Sequence, residues 1–499
     1  MTSAQNRQQL LSGNKFITYF FAVLILLVTS CDALKPAQKP NNGDKNEELD
    51  PITGKNKNKD TNNNNDDSTS DGTGIVKDVS NPNAPDTLVW TPVNPSDGGT
   101  VINPEDPKDP NDGNNTTDTT AVDTGGTVIP GGIIKSSYEL ALLLPLYTGD
   151  FIATDQVPSK AKRSINYYEG MLLGFKKLER EGGNMTVNVF DTKVNSIETL
   201  MRKSEVANAD LIIGPVSSNN VAIAAQSNKA NGQLLVSLNS SKNLTSENPY
   251  FIQASPSLAS HCETVVKHFK RNNPTSKIVL LGRNEDATIF PMYQDANMLY
   301  QGSSDADRLS EYIVTGSNSN YDIRGLNSQL SRLDTNIIVI PSGNQGFVYS
   351  MLRSLSLIRT TYPIIVVGMP RWEDFLRIDA DYYMKMNVHI SNSAYINHSN
   401  LEVIDFKRLF FNEYGMPPTT EAYKGYDVAL YFGRMLKDYG TGMLSELANN
   451  PKQMLHADLQ FYPTYNGSME EGNLTINEFE NKYVHILRFD NYKFVKVSQ

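Results

Sequence analysis

The sequence predicts an α/β fold with two doubly wound parallel sheets, preceded by a long disordered tether. From Tyr138 onward, short runs of Ile, Leu and Val alternate with amphipathic segments of helical length. Continuously apolar strands separated by helices are typical of parallel sheets that are covered on both faces. About 360 residues follow this point, more than one hydrophobic core usually supports, so we expect two lobes.

The first 30 residues have the features of a secretory signal peptide. No Asp or Glu occurs in the first 31 residues, and Arg7 and Lys15 precede an apolar run over residues 16–28. That run is shorter than the roughly 20 residues of a membrane-spanning helix. The sequence VTSC that ends at Cys31 resembles a bacterial lipobox, which implies cleavage before Cys31 and lipidation of its thiol. The alternative is an ordinary signal peptide followed by an incidental cysteine.

Residues 31–135 are expected to form the disordered tether. Stretches such as NKNKDTNNNNDDSTSDGTG are rich in Asn, Asp, Gly and Thr, and Trp90 is the only aromatic residue. Such a chain buries too little apolar surface to offset its ordering entropy. It holds 18 acidic residues against 9 lysines, so most of the net charge of −10 lies here. No basic patch indicates nucleic-acid binding. The run TLVWTPV is either a docking motif or a chance apolar island.

Seven apolar runs after the tether predict the strands of the two sheets. They are ELALLLPL, MTVNVFDT, DLIIGPV, QLLVSLN, KIVLLG, NIIVIPS and PIIVVGM. Segments such as NYYEGMLLGFKKLER lie between most of them and have the apolar periodicity of helices. The closing HILRFDNYKFVKV predicts a hairpin that turns around Asp490 and Asn491.

Cys262 is the second of the two cysteines, so lipidation of Cys31 would leave no intrachain disulfide. In the segment LASHCETVVKHF, the thiol falls on the same helical face as Leu258, Val265 and Val266. We therefore expect a packed core thiol rather than a nucleophile.

Short polar side chains follow several predicted strands at their carboxyl ends. In doubly wound sheets ligands bind beyond these ends, often at helix N-termini. Helix capping is the alternative explanation for the serines, because Ser and Asn are favoured N-cap residues. The pattern predicts a cleft for a small polar molecule. The candidate ligand-binding residues at these strand ends are Tyr147, Ser217, Ser218, Asn239, Ser241 and Arg283.

No enzyme signature is visible in the chain. The sequence lacks the motifs Gly-x-Ser-x-Gly, His-Glu-x-x-His and Gly-x-x-x-x-Gly-Lys-Ser/Thr. The six histidines are scattered, and a lone Cys262 cannot build a metal site, although residues distant in sequence can still cluster in space. We therefore expect a protein that is not an enzyme and that holds no metal or cofactor.

Six motifs, in this order, carry a resemblance to a known family: ALLLPLYTG, YYEGMLLGF, DLIIGPVSSNN, LLVSLNSSKN, PYFIQASPS and EAYKGYDVALYFGRMLKDYG. From residue 138 to about 499, the chain resembles type 1 periplasmic binding proteins, such as the leucine/isoleucine/valine-binding proteins of ABC importers. The closest likeness is to lipoprotein members that often carry lysin motifs, although this chain shows no such motif.

The resemblance implies two Rossmann-like lobes that are joined by a three-crossover hinge and close over a ligand. Lobe one would hold residues of about 136–256 and 388–450. Lobe two would hold residues of about 257–387 and 451–499.

The resemblance also implies roles for individual residues. In amino-acid-binding members, hydroxyl side chains after two neighbouring strands bind the ligand's carboxylate. The matching positions here are Ser217, Ser218 and Ser241. Asn239 stands where a backbone carbonyl would meet the ligand's amine.

Two ligand-binding residues of the family are missing here. A tyrosine is absent from LLGRNEDATIF, and an acidic residue that pairs with the ligand's amine is absent or shifted in VVGMPRWEDF. Arg371 and Trp372 stand near the acidic position, and Glu373 is shifted from it. Arg283 or Arg371 would favour an anionic ligand. Trp372 would stack on a ligand or cover the hinge.

Two functions are consistent with these features. The first is a membrane-anchored periplasmic solute-binding lipoprotein, which captures an amino acid, peptide or muropeptide-like ligand for an ABC permease. The alternative is an envelope interaction protein that regulates peptidoglycan synthesis through a synthase, because a long tether supplies reach. We expect the lipid anchor in the outer membrane of a Gram-negative-type bacterium, facing the periplasm.

Overall fold

The computed structural model describes residues 88–90, 127–129, 132–153, 157–239, 247–301, 307–317, 320–466 and 474–497. The predicted signal peptide, the lipidation site Cys31, most of the predicted tether and the candidate Ser241 lie outside these ranges. Within them, no helix combines the length and the apolar character that crossing a bilayer requires.

The described ranges contain strands in alternation with helices. The strands are β1 (Leu88–Trp90), β2 (Thr127–Ile129), β3 (Gly132–Ile134), β4 (Tyr138–Leu144), β5 (Met185–Asp191), β6 (Leu211–Ile213), β7 (Leu234–Ser237), β8 (Phe251–Gln253), β9 (Lys277–Gly282), β10 (Ser310–Ile313), β11 (Thr315–Ser317), β12 (Asn320–Asp322), β13 (Asn336–Val339), β14 (Ile364–Gly368), β15 (His389–Asn392), β16 (Lys452–Gln453), β17 (Asp458–Leu459), β18 (Phe461–Asn466), β19 (Thr475–Asn481), β20 (His485–Asp490) and β21 (Lys493–Lys496).

Helices cover the sheets, and several of the longer ones have the amphipathic pattern expected of such segments. The helices are α1 (Lys162–Arg180), α2 (Ile197–Leu200), α3 (Ser204–Ala207), α4 (Ser218–Asn231), α5 (Leu258–Asn272), α6 (Phe290–Gln301), α7 (Gln345–Ile358), α8 (Ala380–Lys385), α9 (Leu401–Tyr414) and α10 (Thr420–Tyr439). Short 3-10 segments include Thr148–Ala153, Pro370–Asp374 and Gly440–Asn449.

The first sheet has the strand order β1-β5-β4-β6-β7-β8-β19-β18. All neighbours from β5 to β19 run parallel, and β1 and β18 are antiparallel edge strands. Alternate residues of β4 point to opposite faces, and both faces are buried. Leu140 and Leu142 join the cluster beneath α1 and α10, whereas Ala141 and Leu143 join the cluster on the other face. This double coverage explains the continuous apolar run in the sequence.

The second sheet has the order β10-β9-β13-β14-β15-β20-β21. Strands from β10 to β15 are parallel, and the hairpin β20–β21 closes the sheet in the antiparallel sense. The hairpin is predicted correctly, but its turn lies one residue later than expected, at Asn491 and Tyr492, which adopt φ angles of 48° and 63°. Two positive φ angles fit the tight turns that match strand twist. Cys262 is fully buried in the core of this sheet's lobe, as predicted.

The lobes exchange strands at places that differ from the expected boundaries. Strand β15 pairs with β14 in the second sheet, so lobe two extends to Asn392 and the prediction of a return to lobe one at residue 388 is wrong. Strands β18 and β19 belong to the first sheet, so lobe two does not begin again at residue 451. Only β20 and β21 return to lobe two. Strand pairing decides these assignments, and it is a contact between distant segments that local sequence does not encode.

The chain therefore passes between the lobes three times, at residues 254–257, 393–400 and 482–484, as the three-crossover prediction requires. Glu480, which is 3% exposed, connects two of these crossovers. Its carboxylate accepts hydrogen bonds from Ser257 N and Ser260 Oγ, both at 2.7 Å, and pairs with Lys482 Nζ at 2.7 Å. Crossover two is linked to lobe one, since Tyr395 N donates to the carbonyl oxygen of His456 at 2.8 Å.

Part of the predicted tether forms short strands. Strand β1, from the run TLVWTPV, pairs with the edge of β5, which is what the docking interpretation of that run expects. Strands β2 and β3 form a hairpin, and Ile133 N donates to Thr441 Oγ1 at 3.1 Å. These segments therefore form paired strands within the range that was predicted to be disordered.

Candidate functional site

A cleft of about 980 Å³ opens between the two lobes beside the crossovers. Residues of α1 and α10 form its lobe-one wall. Its lobe-two wall includes Pro370, Arg371, Glu373, Asp374 and Asn392, and crossover two lines it along residues 393–399. Its volume lies in the range of small-molecule sites, and such sites lie preferentially where domains meet.

Lys424 is the central polar residue of the lobe-one wall. Its Nζ donates to Ser255 Oγ at 2.7 Å, and Ser255 Oγ in turn donates to the carbonyl oxygen of Leu238 at 2.8 Å. The pKa of Lys424 is lowered to about 7, first by burial and then by the Arg163 cation, with the Glu421 carboxylate opposing both. Lys424 is thus poised between its charged and neutral forms at neutral pH.

Arg163 and Glu421 form an ion pair at the rim of the same wall, with Nε and Oε1 3.2 Å apart. The Arg163 side chain is 64% exposed, so the pair contributes little to stability. It nevertheless engages Glu421, one of the two carboxylates that lie three residues from Lys424 along α10.

The lobe-two wall combines basic and acidic groups. Arg371, Glu373 and Asp374 line the cleft from the 3-10 segment Pro370–Asp374. Asn392 Nδ2 donates to Glu373 Oε2 at 2.8 Å. Burial and then the Asp374 carboxylate raise the pKa of Glu373, while the hydrogen bond from Asn392 lowers it. Glu373 is the acidic residue that is shifted from the family's amine-binding position, and it lines the cleft.

Two buried histidines also line the cleft. His261 Nδ1 lies 3.0 Å from Ser391 Oγ, and burial lowers the pKa of His261 to about 4. His456 is 6% exposed, and its Nδ1 is buried with no hydrogen-bond partner in the described part of the chain. Burial and then the Lys424 cation lower the pKa of His456 to about 3, so both rings are neutral at physiological pH.

Of the predicted ligand-binding residues, Asn239 and Arg371 line the cleft. Asn239 is half-buried, and its Nδ2 donates to the carbonyl oxygen of Val216 at 3.2 Å. The two residues lie on opposite lobes, so the cleft brings together one candidate from each side.

Three further candidates lie at strand ends without lining this cleft. Ser217 occupies the N-cap position of α4 but its side chain makes no cap hydrogen bond, and Ser218 begins the helix. The Ser217 hydroxyl therefore neither caps α4 nor lines the cleft. Tyr147 has a φ of 57°, and Lys160 Nζ and Lys193 Nζ lie 4.8 and 5.3 Å from its ring centre.

Arg283 and Trp372 are held within lobe two. Arg283 Nε donates to Asp286 Oδ2 at 2.8 Å, and its guanidinium lies 4.7 Å from the centre of the Phe347 ring. Trp372 is 0% exposed, and its Nε1 donates to the carbonyl oxygen of Ser342 at 2.8 Å. The prediction that Trp372 stacks on a ligand is wrong, because the indole is packed in the core beside Tyr383.

The sequence did not predict Lys424, Ser255 or His456 as cleft residues. They come from three separate segments of lobe one and crossover one. One signal was present for Lys424. It is a cation within the short segment AYKGY, in which Tyr423 and Tyr426 are buried. A charge at such a position is unusual unless it is paired or functional.

The described residues contain no group of three or more His, Cys, Asp or Glu side chains arranged to hold a metal ion.

Several proteins of known structure resemble this chain. A protein of Rhodospirillum rubrum, provisionally described as a branched-chain amino acid ABC transporter, matches with a TM-score of 0.50 and 15% identity, over 72% of this chain and 99% of that one. An ABC transporter substrate-binding protein of Desulfitobacterium hafniense in complex with Leu has a TM-score of 0.45 and 15% identity, over 72% and 100%. The C-domain of Haemophilus influenzae LpoA, a regulator of PBP1A, has a TM-score of 0.48 and 14% identity, over 72% and 99%.

No protein-family model matches the chain, and no curated protein sequence matches it. At about 15% identity the structural likeness concerns the fold alone. The chain has the two-lobed α/β fold of branched-chain amino acid binding proteins, and the predicted fold class is confirmed.

Proposed function

We propose that this chain is a lipid-anchored solute-binding protein of the bacterial envelope. It captures a small polar ligand between its two lobes and delivers the ligand to an ABC permease. The observation that carries the proposal is the cleft of about 980 Å³, whose charged walls come from both lobes. Arg163 and Lys424 face it from lobe one, and Arg371 and Glu373 face it from lobe two.

The arrangement of the crossovers supports capture by closure. The walls belong to two separate hydrophobic cores. Because only three short segments join the lobes, rotation about them changes the width of the cleft while leaving each core intact. A ligand that contacts both walls would favour the closed arrangement through its contacts in that state.

The anchor and its location remain part of the proposal. Lipidation at Cys31 would attach the chain to a membrane, and we favour the outer membrane facing the periplasm.

The direct test is a thermal-shift screen of the full-length protein against amino acids, short peptides and muropeptides. We expect one class to raise the unfolding midpoint, because a ligand that binds only the folded state stabilises it. Arg371→Ala should reduce the shift. Arg377→Ala is the matched control, since Arg377 is exposed and lies outside the cleft. A flat response in every class would overturn the proposal.

A second candidate is an envelope interaction protein that regulates peptidoglycan synthesis. The exposed face of α9 supports it, because Leu401, Ile404 and Phe411 are 75%, 46% and 56% exposed. At 100° per residue these three side chains lie on one side of the helix. Exposed apolar groups on one face favour a protein partner.

The test of this candidate is titration of the full-length protein with a purified peptidoglycan synthase. Phe411→Ser should weaken binding. Leu376→Ser is the control, because Leu376 is 94% exposed but lies on lobe two, away from α9, and this substitution should leave binding unchanged. Absence of binding, or equal effects of the two substitutions, would rule the second candidate out.

A further inference from the structure

Lys424 lies on the lobe-one wall without an ionic partner in the described part of the chain. Its one hydrogen bond goes to Ser255 Oγ at 2.7 Å, and its Nζ lies 6.0 Å from the centre of the Tyr167 ring. The Ser255 hydroxyl donates its own proton to the carbonyl oxygen of Leu238, so it accepts from Lys424 and brings no negative charge. A desolvated ammonium group without a counter-ion is unfavourable, and an anion placed in the cleft would remove that cost.

The groups packed around Lys424 do not supply this anion. Helix α1 contributes Tyr167 and the Arg163 cation. On the same helix as Lys424, the Glu421 carboxylate pairs with Arg163 Nε at 3.2 Å. Among the residues that the structure describes, the lobe-one wall therefore carries two cations, Arg163 and Lys424, against one carboxylate, Glu421.

Asp427, one turn further along α10, is also engaged elsewhere. Its two carboxylate oxygens accept hydrogen bonds from the backbone N–H groups of residues 455, 456 and 457 at 3.0, 2.7 and 3.3 Å. Asp427 thus fixes the β16–β17 loop, on which His456 lies, and it does not pair with Lys424.

His456 gives an independent indication of a bound group. It is 6% exposed and lines the cleft, and its buried Nδ1 has no hydrogen-bond partner among the described residues. A buried ring nitrogen without a partner is unfavourable and is rare in folded proteins. In the tautomer that carries the proton on Nδ1, this atom donates a hydrogen bond to an acceptor on the ligand.

We propose that Lys424 and His456 form an anion-binding subsite, and that the ligand of this cleft carries a carboxylate or phosphate group that pairs with Lys424 Nζ. The inference rests on the proposed ligand-binding function. The acidic residues Glu373 and Asp374 line the opposite, lobe-two wall, so the anionic group of the ligand faces lobe one.

Isothermal titration of the full-length protein with acids and with matched analogues that lack the acidic group tests the subsite. The panel contains L-leucine with L-leucinamide, N-acetylmuramic acid with N-acetylglucosamine, and inorganic phosphate. We expect an acid to bind and the analogue without its acidic group to bind at least about tenfold more weakly, as the loss of a charge-assisted hydrogen bond implies. Lys424→Met should weaken binding of the acid by a similar factor. Lys437→Met changes a lysine of the same helix that lies outside the cleft, and it should leave binding of the acid unchanged.

The pH dependence gives a second readout. The pKa of Lys424 is about 7 in the empty cleft, and a bound anion would raise it. The affinity for the acid should therefore be highest near pH 6, where Lys424 is charged, and should fall as pH rises to 9 and Lys424 loses its proton. The Lys424→Met variant should show no such fall. Binding that is insensitive to the ligand's charge, to Lys424→Met and to pH would overturn the subsite while leaving the proposed function in place. Binding of no panel member would overturn both.

Discussion

Buried polar atoms without hydrogen-bond partners identify single residues that are sensitive to their surroundings. His485, at the end of crossover three, is 2% exposed, and both of its ring nitrogens lack a partner among the described residues. Its ring packs beside Tyr395 and Tyr483, with centroids 6.1 and 5.0 Å away. Burial lowers the pKa of His485 to about 4, with Asp458 opposing and Lys496 adding to the effect. The residue is therefore neutral at pH 7.

His485 should make the domain sensitive to acid. Its folded-state pKa of about 4 lies below the unfolded value of 6.5, so its contribution to stability is present above pH 6.5 and is lost as pH falls towards 4. At about 1.4 kcal/mol per pH unit, the loss between pH 6.5 and 5 is about 2 kcal/mol. His485→Leu should reduce the difference between the free energies of unfolding at pH 7 and pH 5 by this amount, as measured with urea.

His398→Leu is the matched control, because His398 is exposed and, although burial also lowers its pKa, it should contribute less to this difference than His485. If His485→Leu keeps the pH dependence of the unsubstituted protein, the histidine does not remain neutral in the folded state.

At the scale of elements, the lobe-one wall depends on the close approach of α1 and α10. Gly170 faces the carbonyl group of Ala422, and Gly425 faces the carbonyl oxygen of Tyr167, with no room for a Cβ atom at either glycine. Gly425 directly follows Lys424. The packing that buries this glycine therefore also sets how far Lys424 lies from Tyr167 and Arg163.

Gly425→Ala should destabilise the domain although alanine favours helices. The gain in helix propensity is about 1 kcal/mol, but the added methyl group meets rigid backbone and must separate the two helices. We expect a net loss of about 1–3 kcal/mol in the free energy of unfolding, measured with urea. Gly149→Ala, at a position with open space around it, should change stability by less than about 0.5 kcal/mol. Equal effects would show that the helices separate without cost.

Elements were predictable where their pattern is local. The hairpin β20–β21 follows from alternating side chains on either side of Asp490 and Asn491, and the face of α5 that buries Cys262 follows from helical periodicity. Trp372 was misassigned for a reason that is also physical. Its position after β14 fits both a cleft wall and a core, and only its packing against Tyr383 and Ser342 decides for the core.

At the scale of the whole molecule, the two lobes are joined by contacts that gather at the crossovers. Glu480 ends β19 in lobe one, accepts from Ser257 of crossover one and from Ser260 of α5 in lobe two, and pairs with Lys482 of crossover three. The pKa of Glu480 is lowered, since Lys482 and the two serines outweigh the opposing effect of burial. The carboxylate is therefore ionised at neutral pH.

Glu480→Gln should destabilise the domain, because it removes the charge that Lys482, Ser257 and Ser260 share. Hydrogen bonds to charged groups contribute about 1.5–3 kcal/mol, and we expect a loss of this size in urea unfolding at pH 7. Glu285→Gln is the matched control. Glu285 also forms an ion pair, with Arg283, but its side chain is 61% exposed, so the loss should stay below about 1 kcal/mol. Similar losses in the two variants would contradict a special role for the buried pair.

The sequence by itself determined the α/β class, the number of lobes, seven strands of the two sheets and the closing hairpin, because apolar periodicity and strand length are local properties of the chain. It also placed Asn239 and Arg371 at strand ends that reach the cleft. Tertiary structure alone decided that β15 belongs to lobe two and that β18 and β19 return to lobe one. It likewise brought Lys424, Ser255 and His456 together from distant segments. Strand order and the burial of a charge depend on contacts between residues far apart in sequence, and no local pattern contains them.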